Sequence, residues 1–403
     1  MPVPLRALPV PRLPVLSWRY FLDRRASPLP AVTDAGPVLP TTSGRAAIAI
    51  ALKALGCGPG RRVLVPTYHC PTMVAPIVAL GGTPVFYPIN ADGSARLDAL
   101  EQLLKEGATA VIVPHYFGLP RPMRAIRALC DRYRAALIED CAHAFFGRVD
   151  GRGIGAWGDF AIASLTKFFP VTEGGCLIRH HPEARDIKLG QRKHTVNLKV
   201  ALDALELGVM HHRLAGLNVL LGGLVRAKHR RKGEPTQAHL APVAPVDLPT
   251  ATARAEADFA EQALPFRKIA SAAWRIVKAG GTGRIVARRK ANFNKLAKAL
   301  AQLKGAHPLV MQAGDDAAPY VFPLWVDEPE RVYQAVRRSG VPVFRWDDRW
   351  PGTPELADDA GGEWSRHVFQ IGCHQDLNAA ELAWIVETLK QIIEEGVTPC
   401  AGS

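Results

Sequence analysis

Residues 140–175 read DCAHAFFGRVDGRGIGAWGDFAIASLTKFFPVTEGG. Asp140 ends the apolar run ALIED, Lys167 follows 27 residues later in SLTKFFP, and the glycine pair Gly174–Gly175 closes the stretch in TEGG. DFAIAS and GGCLIR bracket the lysine as strand candidates. Lys167 is therefore expected in a turn between two strands, an anchored loop of the kind that carries function. A carboxylate at a strand end, a lysine on a loop and a glycine turn together suggest a ligand pocket built from strand ends.

On the amino-terminal side, helix-like and strand-like runs alternate from about residue 38. TTSGRAAIAIALKALGCGPG reads as a helix with Thr42 or Ser43 as N-cap, closed by Gly56. RRVLVP follows as a short buried strand, PTMVAPIVAL as a helix, TPVFYPI as a strand, and LDALEQLLKEG as a helix with one apolar face. ATAVIVPHY then reads as a strand, RPMRAIRALCDRYR as a helix, and AALIED as the strand that delivers Asp140. This βαβ rhythm with near-continuous apolar strands predicts an α/β fold, a mostly parallel sheet covered by helices on both faces. Ligands in such folds bind at the carboxyl ends of the strands.

After Arg179 the pattern loosens. Residues 198–225 read as an apolar helical segment that runs into the basic RAKHRRK at 226–232. Asp203, Glu206 and the His211–Arg213 break keep each apolar run below the roughly 18 to 20 residues a membrane span needs, so no transmembrane span is expected. A long helix buried at a domain or subunit interface is the favoured reading, and peripheral contact with an anionic membrane the weaker one. EPTQAHLAPVAPVDLP reads as a linker. From about residue 250, helices interleaved with APYVFPLWV, VPVFRW and HVFQIGC predict a smaller α+β unit on an antiparallel or mixed sheet. The expected partition is an arm at 1–37, a large domain at 38–240 with the atypical segment 198–232 inside it, and a small domain at 241–403.

Prolines interrupt every apolar run in the first thirty residues, which argues against a cleaved signal peptide. The arm is expected to lie on another part of the protein or on a partner subunit. Lysine and arginine number 50 against 37 acidic residues, a net charge of +13. That balance suits acidic partners such as phosphorylated small molecules, or simply keeps the surface soluble. No finger, RNP motif or basic helix with interleaved aromatics is present, so nucleic acid is not an expected partner. The 7 cysteines lack the close paired spacings of zinc sites, which fits reduced thiols, a cytoplasmic protein and no metal. Cys141, beside the proposed pocket, reads as packing.

The residue types of the opening stretch suit pyridoxal 5'-phosphate. That cofactor needs a lysine for its aldehyde, a carboxylate to keep its ring nitrogen protonated, and donors for its phosphate. Lys167, Asp140 and the helix start at Ser43-Gly44-Arg45-Ala46 supply all three; free N–H groups and the helix dipole attract a phosphate there. Asp140 also reads as an ordinary helix-capping aspartate. Glu139 is a second carboxylate candidate, set aside because adjacent strand residues face opposite ways.

These residues resemble the DegT/DnrJ/StrS family of pyridoxal-phosphate-dependent, fold type I sugar aminotransferases. TSGRAAIAIALKALGCGPG resembles that family's SGTAALxLAL opening, VPHYFG its VHLYG strand end, and LIEDCAHAFFG its IEDAAQAHG. GIGAWGDFAIASLTKFFPVTEGGCLI resembles its GxxGDxxxFSFxxxKxxTxGEGG block. VFQIGCHQDLNAAELAWIV resembles its carboxyl-terminal LPLHPxLTxEExxxIV. The likeness is close over about 38–180 and loose over 285–395.

The resemblance implies a fold type I transferase with a seven-stranded type of sheet. It makes Lys167 the lysine that anchors the cofactor and moves the substrate proton, and Asp140 the partner of the pyridine nitrogen. Ser164 and the backbone from Gly44 to Ala46 would hold the phosphate. His143 takes the place of a glutamine near the cofactor's 3′ oxygen. The aromatic that stacks on the ring falls on Tyr68 or His69, with Cys70 in the matching slot. The implied reaction is a ping-pong transamination from an amino donor, glutamate, to a keto acceptor, a nucleotide-linked keto sugar, in a homodimer. Arg45 stands where threonine is usual, and 198–250 stands where the family carries a GxNxRM motif. Two other readings remain: a pyridoxal phosphate enzyme with a non-sugar acceptor, and a non-catalytic, membrane-peripheral protein on the same fold.

Overall fold

The structure is a computed structural model that describes residues 10–181, 187–223, 248–253, 257 and 266–395. The described part of the arm makes one turn of helix, α1 (Trp18–Leu22), capped by the Ser17 side chain. It lies on its own chain: Tyr20 donates to the Ile276 carbonyl at 2.8 Å, and the Pro11 carbonyl accepts from His374 Nε2 at 2.8 Å.

The main sheet contains β1 (Val38–Thr41), β2 (Arg62–Pro66), β3 (Thr83–Tyr87), β4 (Ala110–Pro114), β5 (Ala136–Asp140), β8 (Phe160–Ser164) and β9 (Gly175–Arg179). The two-residue strands β6 (Arg148–Val149) and β7 (Arg152–Gly153) form a separate hairpin between β5 and β8. The sheet is seven-stranded in the order β1-β9-β8-β5-β4-β2-β3. β8, β5, β4, β2 and β3 run parallel, while β9 lies antiparallel to both β8 and β1. The helices α2 (Gly44–Ala54), α3 (Pro71–Ala79), α4 (Leu97–Lys105) and α5 (Arg124–Tyr133) make the crossovers. The helices and the strands β2, β3, β4, β5, β8 and β9 fall on the runs expected for them, whereas β1 and the short β6 and β7 had no counterpart in the sequence reading.

Successive strand residues enter different packing layers, because side chains alternate across a strand. Leu64, Val111, Val113 and Ala161 join one core cluster; Val63, Val65, Ala110, Ile112 and Ile162 join the other. Both faces of the sheet are therefore covered, which is why its strands read as unbroken apolar runs.

The second sheet is antiparallel throughout, in the order β10 (Ala306–Pro308), β11 (Val321–Val326), β13 (Val368–Gly372), β12 (Val343–Phe344). Around it lie α8 (Gly283–Leu300), α9 (Pro329–Arg338), α10 (Gly361–His367) and α11 (Ala379–Glu395). The sequence reading lacked β10 and α10, which are short, and drew VPVFRW as a longer strand than the two residues that pair.

The atypical segment departs from its expectation. α6 (His194–Met210) ends at His211, His212 takes a positive φ of 55°, and helix resumes only over residues 217–223. One face packs on α7 (Ser271–Ala279). Leu198 is 63% exposed and Leu202 51%, and Val219 beyond the break is 86% exposed, so within this chain the segment is not a buried helix. The basic run 226–232 and most of the linker lie outside the described residues. Among the described residues no helix is long and apolar enough to cross a membrane.

Candidate active site

Three parallel strands end side by side on Pro114, Asp140 and Ser164, and all three residues line a cleft of about 520 Å³. The cleft thus lies at the carboxyl ends of the strands, where folds of this kind bind their ligands. Ser43, Gly44, Arg45, His143 and Lys167 line the same cleft.

Lys167 ends a single 3-10 turn, Leu165–Lys167, that joins β8 to the chain leading into β9. Its Nζ lies 5.1 Å from the centroid of the Tyr320 ring and has no hydrogen-bond or ion-pair partner among the described residues. Burial lowers its pKa, and the Asp140 carboxylate works against that shift. Asp140 is buried too. Burial raises its carboxyl, opposed by the Ala142 N–H at 2.8 Å and by Lys167. Two oppositely perturbed groups sharing a cleft mark a functional site.

Glu139, next along the strand, faces the other way. It accepts from Gly155 N at 2.7 Å and Trp157 N at 2.9 Å, and from His115 Nε2 at 3.0 Å. Burial alone would raise its carboxyl, but His115 and those N–H groups more than offset this and hold it low. Glu139 therefore ties down the loop before β8, as the alternation argument expected. Cys141 is buried beside it, and like the other described cysteines it is unbridged.

The helix start is built as the sequence indicates. Ser43 Oγ accepts from Ala46 N at 3.1 Å as the N-cap of α2. This commits Ala46 to the cap, and Ala46 does not line the cleft. The glycine pair fits against that helix start. Gly174 N donates to the Thr42 carbonyl at 2.8 Å, and a Cβ on Gly175 would lie 2.3 Å from the Ser43 carbonyl carbon. TEGG thus needs glycine for close approach to the cap, with Ser164 flanking the same turn.

His143 accepts from Phe117 N at its Nδ1, 3.4 Å, which leaves Nε2 as the protonated nitrogen. Burial, with Lys167 adding to it, keeps this imidazole neutral by lowering its pKa well below the usual value. Its ring packs between Tyr320 at 4.6 Å and Trp346 at 4.9 Å.

Tyr68 and His69 do not line the cleft. Tyr68 is fully buried, 5.0 Å from the Trp346 ring, and its hydroxyl accepts from Gln370 at 3.1 Å. His69 donates from Nδ1 to the Pro66 carbonyl at 2.9 Å and accepts from Trp350 N at Nε2, 3.0 Å. Both its nitrogens are spent on the backbone. Cys70, the third residue considered for that slot, does line the cleft. The sequence reading missed Tyr320, Trp346 and Gln370, which the second sheet brings in to close the cleft. His374 is buried against the arm and does not line it.

The donor set suits pyridoxal phosphate. An amine with no hydrogen-bond or ion-pair partner among the described residues shares the cleft with a buried carboxylate, and the capped helix start and Ser164 line the same cleft. A mainly parallel sheet with a lysine–carboxylate cleft at its strand ends, closed by a smaller antiparallel sheet, is the fold type I architecture that the sequence resemblance implies. Residues 28–212 match the DegT/DnrJ/EryC1/StrS aminotransferase family.

The chain is 33% identical over 159 residues to UDP-N-acetyl-3-dehydro-alpha-D-glucosamine 3-aminotransferase of Acidithiobacillus ferrooxidans, which is 38% of this chain and 42% of that protein. It is 29% identical over 167 residues to GDP-perosamine synthase of Vibrio cholerae, 41% of this chain and 46% of that one. The chain thus aligns with less than half the length of these curated relatives. Its fold matches a Streptococcus pneumoniae protein solved in its PLP form, with a TM-score of 0.60 at 17% identity, covering 91% of this chain and 89% of that one.

Proposed function

We propose that the chain is a pyridoxal-phosphate-dependent aminotransferase that moves an amino group from an amino acid, glutamate, to a keto acceptor, a nucleotide-linked keto sugar. The observation that carries this reading is the Lys167 amine, without a hydrogen-bond or ion-pair partner among the described residues, in a cleft shared with buried Asp140 and the Ser43 cap.

When bound, the cofactor supplies an electron sink for the charge left on the substrate carbon. Lys167 Nζ would hold the cofactor's aldehyde and would be the base that takes the proton from the substrate carbon and returns it. Burial lowers the pKa of Nζ, so a larger share is neutral and able to accept that proton. Asp140, buried in the same cleft, would pair with the ring nitrogen and keep it protonated. The Gly44 and Arg45 end of α2, with Ser164, holds the phosphate. His143 Nε2–H would donate to the ring oxygen. Tyr320 and Trp346 exclude water from the opposite side.

The acceptor class rests on the sugar-directed names of the relatives and on the net charge of +13, which suits a diphosphate. The exposed Leu198 and Leu202 of α6 support a homodimer, since apolar side chains at helical spacing mark an interface. The same reading takes 1–37 as arm, 38–240 as cofactor domain and 241–403 as small domain, in a cytoplasmic protein. Conversion of the purified protein's visible spectrum on addition of glutamate tests the assignment. No change with glutamate or any other amino acid would contradict it.

A further inference from the structure

Arg289, on α8, is fully buried, and no carboxylate pairs with it among the described residues. All its acceptors are neutral oxygens. Nε donates to Gln375 Oε1 at 2.8 Å, Nη1 to the carbonyls of Pro319 at 3.0 Å and Tyr320 at 3.1 Å, and Nη2 to the carbonyl of Lys167 at 2.6 Å. The Phe168 ring covers the guanidinium face at 4.4 Å. Gln375 extends the same tie by donating to the Phe168 carbonyl at 2.8 Å.

Burying a charge without a counter-ion is costly, and an apolar side chain fills space at lower cost. The guanidinium does what an apolar group cannot. Its planar fork holds several donors in fixed directions, and these join Lys167 and Tyr320, which are far apart in sequence and meet only in the cleft. Burial brings its pKa down to about 10, so it stays charged at neutral pH.

We propose that Arg289 is a positioning residue: by binding the main-chain carbonyls of Lys167 and Tyr320 together, it fixes where the Lys167 amine starts and which ring it lies over. Arg289 itself does not line the cleft, so it acts through Lys167. The four-bond lysine side chain can sweep a wide arc unless its backbone is held, and displacement of a reacting group by about 1 Å costs on the order of a hundredfold in rate. This inference rests on the assignment of Lys167 as the cofactor lysine.

The test uses the full-length, cofactor-free protein. Pyridoxal phosphate is added, the Lys167 amine condenses with its aldehyde with loss of one water, and borohydride reduces the C=N bond to a stable secondary amine. The rate of adduct formation on the Lys167 peptide is read by mass spectrometry. Arg289→Lys keeps the charge but not the fork, and is expected to slow the adduct at least about tenfold. Gln375→Ala, which removes the Phe168 tie and one acceptor of Arg289, slows it in the same direction and serves if Arg289→Lys does not fold. Asn292→Ala is the control. Asn292 lies on the same helix and donates to the Cys373 and His374 carbonyls at 3.3 and 2.9 Å, so its loss lowers stability and leaves the adduct rate unchanged. Wild-type rates in Arg289→Lys and Gln375→Ala, or equal slowing by Asn292→Ala, would overturn the positioning role. A wild-type protein that forms no adduct at Lys167 overturns the cofactor assignment instead, and the positioning role with it.

Discussion

Lys167 Nζ and the Tyr320 ring lie 5.1 Å apart, a cation–π contact between the loop after β8 and the residue that leads into β11. It joins the two sheets at the point where the chemistry is proposed. Such a contact contributes about 0.5 to 2 kcal/mol, and Tyr320 also packs on His143. Tyr320→Leu is therefore expected to weaken cofactor binding about tenfold, while Tyr320→Phe, which keeps the ring, stays within about twofold of wild type. Equilibrium titration of the cofactor-free variants measures both.

Asp140 supports the charged form of Lys167 against the pull of burial. Replacing it by asparagine removes the support, so the Lys167 pKa falls further. The expected result is that the inflection in the pH dependence of Lys167 adduct formation moves to lower pH in Asp140→Asn. An inflection that stays in place or moves upward would show that the carboxylate does not act on the amine.

Gly175→Ala would place a Cβ 2.3 Å from the Ser43 carbonyl carbon, where only backbone could yield. The helix start must shift, so phosphate affinity and stability fall together, the latter by roughly 1–3 kcal/mol. Ser43→Ala removes only the cap bond to Ala46 and costs about 1 kcal/mol. Thermal unfolding with and without cofactor separates the two variants.

Much of this site is written locally in the sequence. Ser43, Asp140 and Ser164 each lie within one residue of the end of an element whose apolar period is plain, and Lys167 follows on the short turn after Ser164, so their convergence follows from the strand order. Tyr320 and Trp346 carry no comparable signal. APYVFP and VFRW read as ordinary strands, and an aromatic facing a cleft looks the same as one in a core until the second sheet folds back. Tyr68, His69 and Cys70 are neighbours in PTYHCP; the local pattern does not say that the small Cys70, at the N-cap of α3, takes the lining position while the two larger rings pack inward. Arg289 was invisible for the opposite reason, since an arginine in the basic run RIVARRKANF is by default exposed.

The buried histidines give a pH dependence of stability. Burial lowers the pKa of His69 from 6.5 to about 4, so the folded state binds its proton less readily than the unfolded chain. The associated stability is present above pH 6.5 and is lost as pH falls toward 4, on the order of 3 kcal/mol. His69→Gln should lower Tm at neutral pH yet flatten its fall between those limits. Parallel Tm curves for wild type and variant would contradict the assignment of a neutral, backbone-bonded His69.

The central claim is that Lys167 holds the cofactor and moves the proton. The most direct measurement is the visible absorption spectrum of purified Lys167→Ala beside wild type, each titrated with glutamate. The account predicts that wild type shows the band of the lysine-bound cofactor and converts it on adding glutamate, and that Lys167→Ala, folded as judged by circular dichroism, lacks that band and turns over no substrate. A variant that keeps both the band and turnover would contradict it.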